Sequence, residues 1–226
     1  MRGGCWIPED RMQPYFDRSE GGFAFHHTGN EPMNPHSGDR SLDMAMAKAL
    51  SSISAEFGVL PAFGFYREAS NGKNALATKR RALNRADGTV LFGLNLLNDL
   101  LQLKINRDAA IVAVCAHEYG HIVASKLNIQ TTLNPSGIDP FRSEQFADYI
   151  SGFYAGIRKL RNINFPAVAF AVQQGRSGGP DHGTGKQRSD AVIAGFKNAF
   201  EHRMNTSDGI EAGVNFAMAQ PMPSSE

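Results

Sequence analysis

Residues 108–126 read DAAIVAVCAHEYGHIVASK. The stretch holds no proline, runs long enough for several helical turns and is apolar nearly all round up to Ala116, as a buried helix must be. Asn106 or Asp108 can cap its start. Inside it His117, Glu118 and His121 spell H-E-x-x-H. Two positions four apart lie about 40° from each other around a helix, so both imidazoles can address one metal ion. Glu118 points to the edge of the same face, where a general base sits to take a proton from a metal-activated water. A bare imidazolium in a buried helix is costly, so the pair must be neutral, hydrogen-bonded or metal-bound. Two satisfied core histidines are the competing reading.

A catalytic zinc takes three protein ligands and leaves a fourth position open, so a further His, Asp or Glu is expected downstream. The short-spaced form, with Gly three and His six residues past His121, is excluded, because those positions are Ala124 and Leu127. The other arrangement places a glutamate on a second helix. Asp139 and Pro140 precede FRSEQFADYISGFYAGIRKL, which gives a cap, a proline allowed in the first turn and a helix to about Leu160. Glu144 lies on this helix with Asp148 one i,i+4 step along the same face. A carboxylate beside a ligand can hold a ligand histidine in the right tautomer. The alternative, a solvated acidic face, sits poorly with Phe146, Ala147, Ile150 and Phe153 on the same helix.

These residues carry a resemblance. His117, Glu118 and His121, followed by Glu144-Gln145-Phe146-Ala147-Asp148 and then Gly152 and Ala155-Gly156, resemble the gluzincin metallopeptidases. The likeness is greatest to the neutral zinc metallopeptidases and their CAAX prenyl protease relatives. Asn74–Thr78 looks like the N-A-x-A-T segment of that clan, Asp87–Gly93 like the strand before the active-site helices, and His182–Arg188 like an H-G-T/S-x-x-Q-R segment. The match spans roughly residues 55 to 203. The resemblance implies that His117, His121 and Glu144 ligate zinc, that Glu118 is the general base and that Asp148 orients a ligand histidine. It also makes His182 or Arg188 a candidate to stabilise the oxyanion or to hold the active-site wall, beside a purely structural role for both. In the gluzincin pattern the strand at Thr89–Gly93 is the sheet edge beside the zinc, where an extended peptide substrate adds by main-chain hydrogen bonds.

The rest of the chain fits a small enzyme. With 226 residues, 42% of them hydrophobic, one core of substantial size can form. The expected fold class is α+β: a mainly helical, zincin-like domain over residues 41–205 with a small sheet beside the active-site helix. Residues 1–40, rich in Gly, Pro, Asn and charge, read as an irregular arm, and residues 206–226 as a disordered tail. In the arm, His26, His27 and His36 lack a spacing partner and read as surface histidines. A helix is expected from Ser41 to a stop at Gly58, an alternating strand over Pro61–Arg67, a short helix over Leu94–Leu103 and another over Gln187–Phe200. The basic residues Lys79, Arg80, Arg81 and Arg85 read as an exposed loop. The loop GRSGGPDHGTGK at 175–186 fails as a phosphate cradle, since Pro180 stands five before Gly185 and Gln187 follows Lys186.

Composition limits partners. A net charge of +1 gives no electrostatic reason for nucleic acid. No run of about 20 apolar residues exists for a transmembrane helix, and MRGGCWIPEDRMQ has no apolar segment of a secretory signal. The compartment stays open: soluble as given, with an exported or membrane-associated bacterial origin implied by the resemblance. Cys5 and Cys115 give no disulfide framework. The expected activity is zinc-dependent endoproteolysis of a peptide or protein substrate. The alternatives are a non-catalytic zinc-stabilised binding or chaperone-like module and a zinc amidase on a non-peptide substrate.

Overall fold

Both motif stretches form long helices that cross in the middle of the protein. The structure is a computed structural model and describes residues 5–26, 39–69, 72–137, 139–176, 178–179 and 181–222. A 3-10 turn at Glu9–Arg11 leads into α1 (Gln13–Phe16) and β1 (Ser19–Ala24), followed by α2 (Arg40–Phe57), β2 (Ala62–Tyr66), β3 (Ala75–Thr78) and β4 (Thr89–Gly93). The helical part comprises α3 (Leu94–Leu101), α4 (Arg107–Lys126), α5 (Gln130–Leu133), α6 (Phe141–Arg161), α7 (Val168–Gly175), α8 (Gly185–Phe200) and α9 (Thr206–Ala219). The class is α+β and mainly helical, with one mixed sheet in the order β1-β2-β4-β3, in which only β2 and β4 run parallel. No helix among the described residues is long and apolar enough to cross a membrane.

Helix α2 follows its sequence signals. Asp39 caps it by accepting from the N–H groups of Ser41 and Leu42, and Gly58 ends it in the left-handed conformation at φ 63°. Met46, Leu50, Ile53 and Phe57 recur at helical spacing and are buried against α4 and the sheet. α4 starts at Arg107, with Asn106 left-handed at φ 56° and making no side-chain cap bond. α6 starts at Phe141 with Pro140 in the cap position and no side-chain cap bond, although Asp139 Oδ1, one residue earlier, accepts from Phe141 N at 3.0 Å.

Several expectations change. The 5–24 segment is not an irregular arm: it supplies edge strand β1, and Met12, Ile7, Tyr15 and Phe16 cover Tyr66, Leu76 and Leu91 on the outer face of the sheet. β2 is buried at all five positions, so it reads as a covered inner strand and not an alternating one. β4 lies inside the sheet between β2 and β3, so the edge strand on that side is β3. His26 is buried with its ring edge-on to Phe63 at 5.9 Å, while His27 and His36 lie outside the described residues. Arg80 stacks over Phe16 at 4.5 Å and donates to Gln13, pinning α1 to the β3–β4 loop.

The stretch read as a tail carries α9, capped by Asn205 and seated on α6 through Gly209 against Phe153 and Gly213 against Tyr149. Its buried stripe of Gly209, Gly213 and Ala217 is built from small residues, so hydrophobicity does not reveal it. Residues 223–226 of that stretch lie outside the described residues. α8 begins two residues before Gln187, where Thr184 and Gln187 form a reciprocal capping box.

Small residues also set the α6–α8 contact. A Cβ on Gly152 would collide with the Val192 carbonyl oxygen, a backbone atom that cannot swing away. In an exposed helix Gly→Ala gains about 1 kcal/mol. At Gly152 overpacking of about 1–3 kcal/mol or more works against that gain. Gly152→Ala is therefore expected to destabilise the fold by about 2 kcal/mol, measured by urea unfolding; stabilisation would mean that α8 can move aside freely.

Candidate metal centre

The two motif helices are built alike where they touch. His117 and His121 stand three before and one after Gly120, and Glu144 and Asp148 stand three before and one after Ala147. A Cβ added at Gly120 would lie 2.8 Å from Ala147 Cα, so the two backbones meet there and the flanking side chains converge. All five polar residues of the two motifs, His117, Glu118, His121, Glu144 and Asp148, are buried.

His117 is held at both ends. Its Nδ1 bonds Asp148 Oδ1 at 2.7 Å, and its Nε2 faces Glu144 Oε2 at 3.1 Å. With Nδ1–H given to Asp148, Nε2 is the nitrogen that can offer a lone pair to a cation. His121 is fully buried and makes no hydrogen bond through either ring nitrogen, its Nε2 stopping 3.5 Å from Glu144 Oε2. A buried imidazole without a partner is costly unless something is bound to it. One ligand atom from each of His117, His121, Glu144 and Cys5 lies within 4.8 Å of the others. Two imidazoles, a carboxylate and a thiol are a donor set that suits a divalent ion of the zinc type.

Burial and charge divide the acids. Burial pushes the Glu118 carboxyl up to about 8, with His117 opposing and Glu144 adding to the rise. Burial works the same way on Glu144, yet His182, His121 and His117 hold it well below the usual carboxylate range. Asp148 is likewise lowered, Arg188 and His117 outweighing its burial. Burial disfavours charge on His117, but Asp148 and Glu144 raise it to about 10, whereas burial keeps His121 low. The anionic pair Glu144 and Asp148 thus faces the histidines, and Glu118, whose Oε2 lacks any hydrogen-bond partner, is the acid that burial makes the most avid for a proton.

The remaining expected site residues separate by role. Arg188 is buried and spent on Asp148 through Nε to Oδ2 at 2.8 Å and Nη2 to Oδ1 at 2.9 Å, with a further bond to Gln174 at 3.0 Å. It acts on His117 only through Asp148, as part of the wall. His182 reaches the centre itself: its Nε2 lies 3.2 Å from Glu144 Oε2 and 3.2 Å from Cys5 Sγ, and Gln145 holds its carbonyl at 2.9 Å. Gly175–Lys186 therefore does present His182, with Gly183 at φ 85° turning the loop into α8.

Cys5 and Gln174 were not anticipated. Gln174 bridges Arg188 and the Ala113 carbonyl. Cys5 N donates to Glu144 Oε1 at 2.7 Å, and its thiol lies 3.7 Å from Asn74 Oδ1. Neither residue has local spacing that marks it, since the partners lie on other elements.

A cleft of about 450 Å³ opens on the centre, bounded by Asn74 and Ala75 on one side and by His117, Glu118, His182 and Arg188 on the other. A more apolar groove between α7 and α8, lined by Val168, Val172, Ile193 and Phe196, contains none of these residues. Compared with protein-family models, with curated proteins and with solved structures, the chain matches none.

Proposed function

We propose that this chain is a zinc-dependent metalloendopeptidase in which His117, His121 and Glu144 hold the ion and Glu118 is the general base. The observation that carries the reading is Glu118 itself. A fully buried carboxyl with an unpartnered oxygen, beside a set of convergent metal donors, is destabilising as scaffold and useful as a base. The resemblance to the gluzincin motifs points the same way.

Zinc, when bound, supplies a Lewis acid that polarises a scissile carbonyl and acidifies water. Glu118 takes the proton of the attacking water at Oε2 and hands it to the leaving amine. Asp148 keeps Nδ1 of His117 occupied, and Arg188 keeps Asp148 charged and fixed. His182, on the cleft side of Glu144, is placed to donate to a developing oxyanion. Along β3, the Ala77 main-chain groups, which here bond Cys5 and Ile7, would offer a peptide the hydrogen bonds of an added strand once those residues move away. The test is cleavage of an internally quenched peptide library by zinc-loaded protein. Cleavage abolished by a chelator and by Glu118→Gln supports the reading, and cleavage that survives metal removal contradicts it.

One observation favours a second reading. With Cys5 beside His117, His121 and Glu144, four donors could close around the ion as in a structural zinc site, giving a non-catalytic module. Such a site leaves the buried Glu118 without a purpose.

A further inference from the structure

Residues Cys5, Trp6 and Ile7 run along the outer edge of β3 beside the centre, and Cys5 lines its cleft. Cys5 O accepts from Ala77 N at 2.9 Å and Ile7 N donates to Ala77 O at 2.9 Å, so this tripeptide pairs with the outer edge of β3. At its start Cys5 N donates to Glu144 Oε1 at 2.7 Å, and the Cys5 side chain enters the donor cluster. The Trp6 ring lies 6.3 Å from that of His121, and Ile7 packs on the outer sheet face. A strand edge has one set of free main-chain groups, so an incoming peptide and residues 5–7 compete for Ala77.

We propose that Cys5–Ile7 is a built-in inhibitory segment, with the Cys5 thiolate as fourth metal ligand and its backbone in the place of a peptide substrate. This rests on the metal reading above and decides between its two forms: the closed set of four donors is a latent state, not a permanent structural site. On closing, the thiolate would replace the water in the fourth position, the water and the thiol proton passing to solvent; on opening, water would replace the sulfur, which regains a proton. Because the segment belongs to the same chain, its effective concentration is on the order of millimolar, and an external peptide must exceed that to displace it. Two independent features support the assignment: His121, whose ring nitrogens make no hydrogen bond inside the cluster, and the two main-chain bonds to β3 outside it.

The experiment uses the full chain loaded with zinc, and with cobalt(II) as a spectroscopic stand-in. X-ray absorption at the zinc edge is expected to show one sulfur at about 2.3 Å in the wild type and none in Cys5→Ala. Cobalt(II) protein is expected to show a thiolate charge-transfer band that disappears in the variant. Acetohydroxamate, a small ligand for an open metal position, is expected to bind Cys5→Ala at least tenfold more tightly. In wild-type protein, where no variant needs to fold, chelation should raise the rate of Cys5 alkylation at least tenfold, with Cys115 as the internal control. Bound zinc with no sulfur shell, or equal acetohydroxamate affinity in the two proteins, overturns the inhibitory segment and leaves the peptidase reading standing. Absence of zinc from both proteins overturns the metal reading and this proposal together.

Discussion

Glu118→Gln is expected to lower peptide turnover by roughly 10³-fold, about 4 kcal/mol in the barrier, while zinc content stays at the wild-type level. The assay belongs in the Cys5→Ala background, where the fourth position is open. The amide keeps the size and one acceptor of the carboxyl but cannot take up a proton. Thermal stability should stay level or rise, because a buried amide is less costly than a buried acid whose oxygen has no partner. A scaffold role predicts the reverse pattern, with metal and stability lost together. Full turnover in Glu118→Gln would place the base elsewhere.

Asp148→Ala is expected to have the largest effect on the fold, about 3–5 kcal/mol in urea unfolding. The substitution strands the Arg188 guanidinium in a buried place with its carboxylate gone, and removing one member of a buried ion pair costs about that much. It also frees His117 Nδ1, so zinc affinity in a chelator competition should fall about 10- to 100-fold beyond any loss from unfolding. The double variant Asp148→Leu/Arg188→Met separates the two effects. Apolar side chains of similar size commonly restore stability where an ion pair is removed whole. Stability should therefore recover in the double variant while zinc affinity does not. Recovery of both would show that Asp148 serves the fold alone.

The two helices that build the centre were legible because burial and helical period coincide in them: α4 is apolar around its whole circumference up to the motif, and α6 sets two acids among Phe146, Ile150 and Phe153. The α+β class followed from the same stretches and from the short apolar runs that became β2 and β4. The long-range partners were not legible. α9 is held by Gly209, Gly213 and Ala217, whose value lies in closeness and not in hydrophobicity. The 5–24 segment looks polar and glycine-rich because only Met12, Tyr15, Phe16 and a few neighbours touch the sheet, yet these cover its outer face. β4 was placed at the edge because local sequence cannot show that β3 returns antiparallel beside it. The motif leaves open whether His182 or Arg188 meets the oxyanion or holds the wall; in the fold the Arg188 charge, on α8, answers Asp148, while His182, on the preceding loop, faces the centre. Cys5 gave no signal, since a lone cysteine acquires meaning only from the residues that the fold brings to it.

Metal content of freshly purified protein, wild type beside Glu144→Ala, tests the central claim most directly. The account predicts about one zinc per chain in the wild type and its loss in the variant, because Glu144 faces His117, His121 and His182 at the middle of the cluster. Stoichiometric metal that survives Glu144→Ala, or no metal in either protein, would contradict it.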